Sequence, residues 1–515
     1  MTKTKPTRVL FFVTMHTSSN GYGQVGYELT KYLSNKPDVQ LTIYGFQNFS
    51  QIPNHRTDFP NNVQVYDAFA NETPKQAGFG IGQVKDFVIA NRPDVVIVYN
   101  DMLVLTSVIG QLHEVPNRNF KIIAYIDQVY LCQKKDYINF VNEKADLAML
   151  FTPYWEQIAI EQGITLPTCN LRHGFNKLLH YPIPKHVPRK FYGLKNEDFI
   201  VLNLNRNQPR KRWDICLQAF ADVVKELPDE PIKLLVATAV QGAWNLLEVF
   251  ERELKKRGLT LADGMKHLIL LDNPQQLSDE DINFLYNVAD IGINTCDGEG
   301  FGLCNFQQAA IGIPQIVPHI GGFRDFFDEN TALLVEPTMT YYVDNSRDMV
   351  CGEAELCDYR EFAKAIIKYY KDRDLMKTHG ENSRKKIVEE YPWEKFGEEL
   401  YTIIKAQAKN LQTIEEEVTE NGNNLAEDEE ININNLTEMV QNIDKVEVEE
   451  KVVETVQKEL VTEVKQPSKK HSKKSSGVTA KDKLKEKLKA KSKKDDKMTI
   501  LELREKLDKL LEKTS

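Results

Sequence analysis

With 515 residues, 41% hydrophobic and 27% charged, the chain is long enough for two or more domains with full cores. A net charge of −9 argues against nucleic-acid binding by the whole surface. The seven cysteines are scattered, odd in number and without a CxxC pair, which fits reduced thiols and a cytoplasmic setting, and no set of residues has metal-ligand spacing.

The apolar run Val9–Met15 follows a basic N-terminus but reads as a first β-strand rather than a signal peptide. No apolar run approaches the length of a membrane span. Further strands are expected at Val39–Phe46, Val63–Ala68, Asp94–Tyr99, Ile122–Asp127 and Leu147–Thr152. Helices are expected between them, among others at Gln24–Leu33, Gly82–Asn91 and Tyr154–Gln162. Near-continuous apolar strands alternating with helices imply a parallel sheet covered on both faces. The first strand–helix loop carries Gly21, Gly23 and Gly26, a weak GxGxxG match able to hold a phosphate or sugar. No acidic residue closes the second strand, which speaks against a nicotinamide cofactor.

The proline-rich stretch His180–Pro188 has the composition of a linker. The alternation then restarts. Strands are expected at Phe199–Leu204, Lys233–Ala237, His267–Leu271, Ile291–Asn294, Gln315–Pro318 and Ala332–Val335. Helices are expected at Trp213–Leu227, Trp244–Lys256, Asp279–Val288, Phe301–Ile311 and Asp358–Lys371. Two such units leave a cleft between them for a large ligand.

Two stretches of the second unit carry chemistry. Arg206 and Lys211 lie on the loop entering a helix, where two cations suit a diphosphate leaving group. Asp297–Gly302 places three glycines at a helix start, offering unpaired N–H groups to an anion, with Glu299 free to accept from hydroxyls. Glu299 and Gln307, eight apart, are positioned to present two oxygens to one ligand unless Gln307 is satisfied locally. Thr338–Cys351, with Tyr341, Tyr342 and Arg347, either touches an acceptor or covers the sheet.

After about residue 410 the composition changes. Leu411–Val464 holds 16 acidic against 3 basic residues, and Lys465–Lys497 holds 14 basic against 4 acidic. Such blocks are expected to stay disordered. Val446–Val464 is a marginal helix candidate. Thr499–Glu502 forms a capping box before the apolar stripe Ile500, Leu503, Leu507, Leu510 and Leu511, a short amphipathic or coiled-coil end. The tail is expected to bind a protein or an anionic surface.

These motifs, in this order, resemble the retaining glycosyltransferases of the family-4 type. The resemblance rests on Arg206, Lys211 and Asp214; on Leu285-Tyr286 with Ala289-Asp290; on Glu299-Gly300-Phe301-Gly302-Leu303 with Gln307; on Gly321-Gly322; and on Tyr391-Pro392-Trp393. It implies a GT-B fold of two Rossmann-like α/β domains, residues 1–185 on the acceptor side and 186–390 for the nucleotide sugar. A terminal helix at 391–410 would return to the first domain, followed by a tail at 411–497 and a short helix at 498–515. The implied activity is hexosyl transfer, with anomeric retention, from a UDP- or GDP-sugar to a glycan, protein or small-molecule acceptor, without a metal or other cofactor. By the same resemblance Glu299 would hold sugar hydroxyls, Arg206 and Lys211 the diphosphate, and Asp127 would stand where the family has a histidine. The Gly21–Gly23 loop and the backbone of Phe301, Gly302 and Leu303 would face the donor, with Gln307 near the ribose in place of a glutamate. Arg212 replaces a glycine, and His173 stands for an asparagine as a structural or hinge-lining residue. The alternatives are a glycosyltransferase-like scaffold acting through its tail, and a nucleotide-sugar epimerase of related fold.

Overall fold

A computed structural model describes residues 5–49, 56–73, 75, 77–272, 274, 277–344 and 350–424, with side chains through residue 411. Arg347, Val446–Val464, both charged tail blocks beyond residue 424 and the 498–515 helix lie outside the described residues. The first domain is a seven-stranded parallel sheet of β1 (Thr7–Thr14), β2 (Val39–Phe46), β3 (Gln64–Asp67), β4 (Val95–Asp101), β5 (Lys121–Asp127), β6 (Leu147–Leu150) and β7 (Thr168–Asn170), in the order β3-β2-β1-β4-β5-β6-β7. The second is a six-stranded parallel sheet of β8 (Phe199–Asn203), β9 (Ile232–Ala237), β10 (Leu268–Leu271), β11 (Ile291–Ile293), β12 (Gln315–Pro318) and β13 (Ala332–Val335), in the order β10-β9-β8-β11-β12-β13. This is the GT-B arrangement of two Rossmann-like domains. β8 and β11 are buried along their whole length, as strands covered by helices on both faces must be.

One apolar cluster runs from the first sheet through Phe151 and Trp155 to Phe301, Phe306 and Phe326 of the second domain, and on to Trp393 and Phe396. A second cluster fills the other face of the second sheet around Trp213, Phe220 and Phe250. The helix Trp393–Asn424 leaves the second domain and packs on the first. Glu398 accepts from the Tyr32 hydroxyl at 2.5 Å and from Lys36 at 2.6 Å, and Tyr401 donates to Asp38 at 2.9 Å. This helix continues past residue 410 to Asn424, into the acidic run.

Two further elements depart from the expected pattern. The helix at Gly82 begins as a 3-10 turn, Ile81–Gln83, before Val84–Asn91. Of the stretch Thr338–Cys351, Thr338–Val343 lies in β14 (Pro337–Val343), which pairs antiparallel with β15 (Gly352–Cys357) as a hairpin. The hairpin reaches the first domain: Leu131 and Glu353 exchange backbone hydrogen bonds of 3.0 and 2.7 Å, and Val343 and Ala354 pack with Val129 and Tyr130. Tyr341 donates to the buried Asp297, and Tyr342 is exposed.

Candidate active site in the interdomain cleft

In each sheet the strand order turns back beside the first strand, at β1/β4 and at β8/β11. Loops leaving the carboxyl ends of such neighbours diverge and open a crevice. The two crevices share one cavity, bordered by Gly21, Tyr22, Asp127, Arg206, Lys211 and Glu299.

On the first-domain wall, the helix Gly21–Ser34 is capped by Asn20, whose side chain accepts from Gly23 N at 2.9 Å. A Cβ at Gly23 would lie 2.6 Å from the Ser18 carbonyl and 2.8 Å from that of Met15, so the tight loop requires glycine. Between the two glycines, Tyr22 donates its hydroxyl to Asp127 Oδ2 at 2.5 Å. Asp127 ends β5, and its Oδ1 is buried without a partner against Gly300, where any side chain would collide with it. Burial pushes the Asp127 carboxyl up to about 6, against the opposing pull of Arg210 and the Tyr22 hydrogen bond.

On the second-domain wall, the loop after β8 ends in the 3-10 turn Pro209–Lys211. Lys211 is buried and donates to Glu299 Oε2, while Arg210 lies 3.6 Å from Glu299 Oε1 and donates to the Gly298 carbonyl at 3.1 Å. Burial alone would raise the Glu299 pKa, but the Lys211 and Arg210 charges outweigh it and hold it below the usual carboxylate range. Arg206 is exposed to the cleft and, among the described residues, no carboxylate pairs with it. Desolvation in the cleft and the neighbouring Arg210 charge lower its pKa, and the negative charge of a bound anion would offset both.

Arg212, in place of a glycine, adopts φ 47° and ψ 52°, a left-handed conformation that disfavours side chains. Its guanidinium compensates by gripping Asp214 at 2.9 and 2.7 Å and approaching Asp297 at 3.3 Å. Asp214 is thereby an anchor for this turn.

The glycine-rich loop opens the helix Leu303–Ala310, two residues later than Phe301 because Gly302 takes φ 94°. Leu303, Cys304 and Asn305, its first turn, line the cavity, and the amides of a helix's first turn lack intrahelical partners. A Cβ at Gly21 would lie 3.0 Å from Leu303 Cδ1, so two helix N-termini face each other across the cleft. Phe301 fixes the loop from behind, with its ring centroid 4.5 Å from that of His173 and 5.1 Å from those of Phe306 and Phe326. Asn294 donates to Asn305 at 2.9 Å and Asn305 to Gln315 at 2.8 Å, locking the helix start to the sheet. Gln307 lines the cavity, but its carbonyl oxygen accepts from Tyr286 at 2.9 Å, which leaves its NH₂ as the group to offer a ligand.

Sequence reasoning missed Arg210, Tyr22 and Trp155. The first two lie beside residues already singled out. Trp155 Nε1 donates to the Gly300 carbonyl at 2.8 Å across 145 residues of chain, a contact that no local pattern announces. His173 packs at 4.5 Å from both Phe151 and Phe301, and burial lowers its pKa to about 3, so the ring is neutral.

Comparison with known proteins agrees with this geometry. The family model for group 1 glycosyl transferases matches residues 185–386. D-inositol 3-phosphate glycosyltransferase of Thermobispora bispora is 27% identical over 194 residues, 36% of this chain and 40% of that protein. Human alpha-1,3/1,6-mannosyltransferase ALG2 is 23% identical over 270 residues, 51% of this chain and 57% of that protein. Among solved structures, sucrose-phosphate synthase from Thermosynechococcus elongatus superposes with a TM-score of 0.60 at 16% identity, over 78% of this chain and 98% of that one. Anabaena Alr3699/HepE in complex with UDP-glucose superposes with a TM-score of 0.56 at 15% identity, over 78% and 99% of the two chains. The aligned segments thus span less than two thirds of the curated relatives, whereas the structural match covers nearly the whole of each solved chain. Residues 185–386, with Arg206, Lys211 and Glu299 on the wall of the cavity, match the group 1 glycosyl transferase family model and lie on a two-domain GT-B fold.

Proposed function

We propose that the chain transfers a sugar, with retention at the anomeric carbon, from a UDP- or GDP-sugar to an acceptor hydroxyl. The observation that carries this reading is the convergence of Arg206, Lys211 and two facing helix N-termini on one point of the cleft. A diphosphate seated there gains charge as the glycosidic bond breaks, and preorganised cations and amides stabilise that charge more than the ground state. Glu299, held by Lys211, accepts from hydroxyls of the transferred sugar. Gln307 donates its NH₂ to a ribose oxygen. Asp127 is tied to Tyr22 and turned toward Gly300 of the donor loop, which suits contact with the donor sugar better than deprotonation of an acceptor. Retention follows if the acceptor oxygen attacks from the side of the departing diphosphate, which takes the acceptor proton as the new C–O bond forms and the old one breaks. The cations and amides handle the diphosphate charge in this scheme, so it calls for no metal. The UDP-glucose bound by a structural neighbour supports a nucleotide-sugar donor.

The test is a panel of UDP- and GDP-sugars scored by thermal shift and by nucleotide diphosphate release. The true donor at a hundred times its dissociation constant is expected to add about 3 kcal/mol of stability. No shift and no release with any donor would overturn the reading in favour of a scaffold. Trp155→Phe keeps a six-membered aromatic ring but loses the indole N–H and leaves the Gly300 carbonyl unsatisfied, at a stability loss of about 1–3 kcal/mol. Because that carbonyl belongs to the donor loop, kcat is expected to fall roughly 10-fold with the acceptor KM unchanged. A lower melting temperature with unaltered kcat would reduce Trp155 to packing.

A further inference from the structure

Of the eight most exposed large apolar side chains among the described residues, four lie within one stretch far smaller than a domain: Leu178 at 81%, Tyr181 at 47%, Val187 at 40% and Phe191 at 67%. This stretch connects the two domains and is backed by the helix Asp279–Val288. Tyr181 N donates to Asn283 at 3.1 Å, and the Phe191 ring centroid lies 5.9 Å from that of Phe284. Between Lys177 and Lys195 the sequence has five Lys or Arg and no Asp or Glu. Two of the five, Lys185 and Arg189, pair with Asp290. Lys177, Lys190 and Lys195 are exposed. On the backing helix, Asp279 is held by Arg56 and Asp281 by Ser278, which leaves Glu280 exposed.

We propose that this linker surface docks the protein on an anionic lipid bilayer, with Leu178, Tyr181, Val187 and Phe191 entering the headgroup region and the three lysines meeting acidic lipids. Exposed aromatic and aliphatic side chains interleaved with lysine have the chemistry of an interfacial anchor. A second copy seated symmetrically on the same patch would set its lysines against their own images, so the charge favours lipid over self-association. His180, inside this stretch, lines the catalytic cavity, so docking places the cleft beside the membrane. The inference does not depend on the donor assignment.

The test uses the full chain, sedimented with vesicles of phosphatidylcholine alone and of phosphatidylcholine mixed with phosphatidylserine. Three proteins are compared with wild type: Leu178→Ser with Phe191→Ser; Lys177→Glu with Lys190→Glu and Lys195→Glu; and the exposed-site control Ile160→Ser with Ile89→Ser. All changes are on exposed positions, and unchanged melting temperatures establish that each protein is folded. The expected result is salt-sensitive binding of wild type and control to the mixed vesicles, reduced about 10-fold or more in both patch variants. Equal binding by wild type and patch variants overturns the proposal by placing any attachment elsewhere, including the lysine-rich C-terminal block. Absence of wild-type binding overturns it outright. A wild-type dimer that Phe191→Ser converts to monomer, with vesicle binding unaltered, overturns it in favour of self-association.

Discussion

Lys211→Ala is expected to lower kcat/KM for sugar transfer by about 10³-fold, the loss seen when a preorganised charge is taken from a site of developing negative charge. The same substitution leaves Glu299 buried with Arg210 at 3.6 Å as its remaining cation. Removing one partner of a buried pair costs about 3–5 kcal/mol, so lost activity alone would be ambiguous. Linkage separates the two effects. In the wild type the folded-state pKa of Glu299 is depressed, so its pairing stabilises the fold above the ordinary carboxylate range, and that contribution fades as pH falls through the folded pKa. The stability gap between Lys211→Ala and wild type is therefore expected to be widest near neutrality and to narrow in acid. Adding Glu299→Gln removes the stranded charge and should restore most of the stability while leaving transfer abolished. Thermal unfolding against pH, alongside nucleotide release by the three proteins, measures both. A double variant that regains stability and turnover together would show that Lys211 serves the fold and not the reaction.

What could be read ahead of the structure, and what could not, follows from where the information lies along the chain. Twelve of the thirteen strands of the parallel sheets were legible because each is a short run with apolar residues between turn residues, and β2, β12 and β13 have the expected bounds, whereas β7, Thr-Cys-Asn, has no apolar run and was not expected. Arg206, Lys211 and Glu299 were legible because each stands on a loop at a strand's carboxyl end, where parallel sheets place ligands. The start of the helix Leu303–Ala310 was misplaced because the left-handed Gly302 ends the loop later than apolar spacing suggests. The hairpin β14–β15 escaped because its apolar alternation is brief, Met339 and Tyr341 in one strand and Ala354 and Leu356 in the other, and its pairing draws on Leu131 of the other domain. Gln307 shows a different limit. Its side chain is suited to a ligand, but Tyr286, on a separate helix, decides which of its two polar groups is left to offer one. The same holds for Asp127, whose chemistry is set by Tyr22, Arg210 and Gly300 from three distant segments.

Asp127 yields the second large effect, and its sign is the reverse of the usual carboxylate. Its folded-state pKa is about 6 against an ordinary 3.8. Between those values the folded protein holds more protons than the unfolded chain, so this group makes stability rise as pH falls from neutrality toward 4. Above 6 the ionised carboxylate opposes folding by an amount on the order of 3 kcal/mol. Asp127→Asn removes the ionisation and keeps a side-chain oxygen to accept from Tyr22. The variant is therefore expected to unfold at a higher temperature than wild type at about pH 8, with the two curves drawing together below about pH 6 and meeting near pH 4. Other carboxylates titrate alike in both proteins, so the difference isolates this one. Activity should move the opposite way. If the carboxylate accepts from the donor sugar, wild-type kcat/KM climbs with pH through about 6, whereas the variant is flat and lower by about 10²-fold. A protein that retains such a destabilising charge at the wall of its cleft is then trading stability for a contact made only with substrate. A variant more stable than wild type and equally active across the same range would show instead that Asp127 serves only to hold Tyr22 and the first glycine-rich loop.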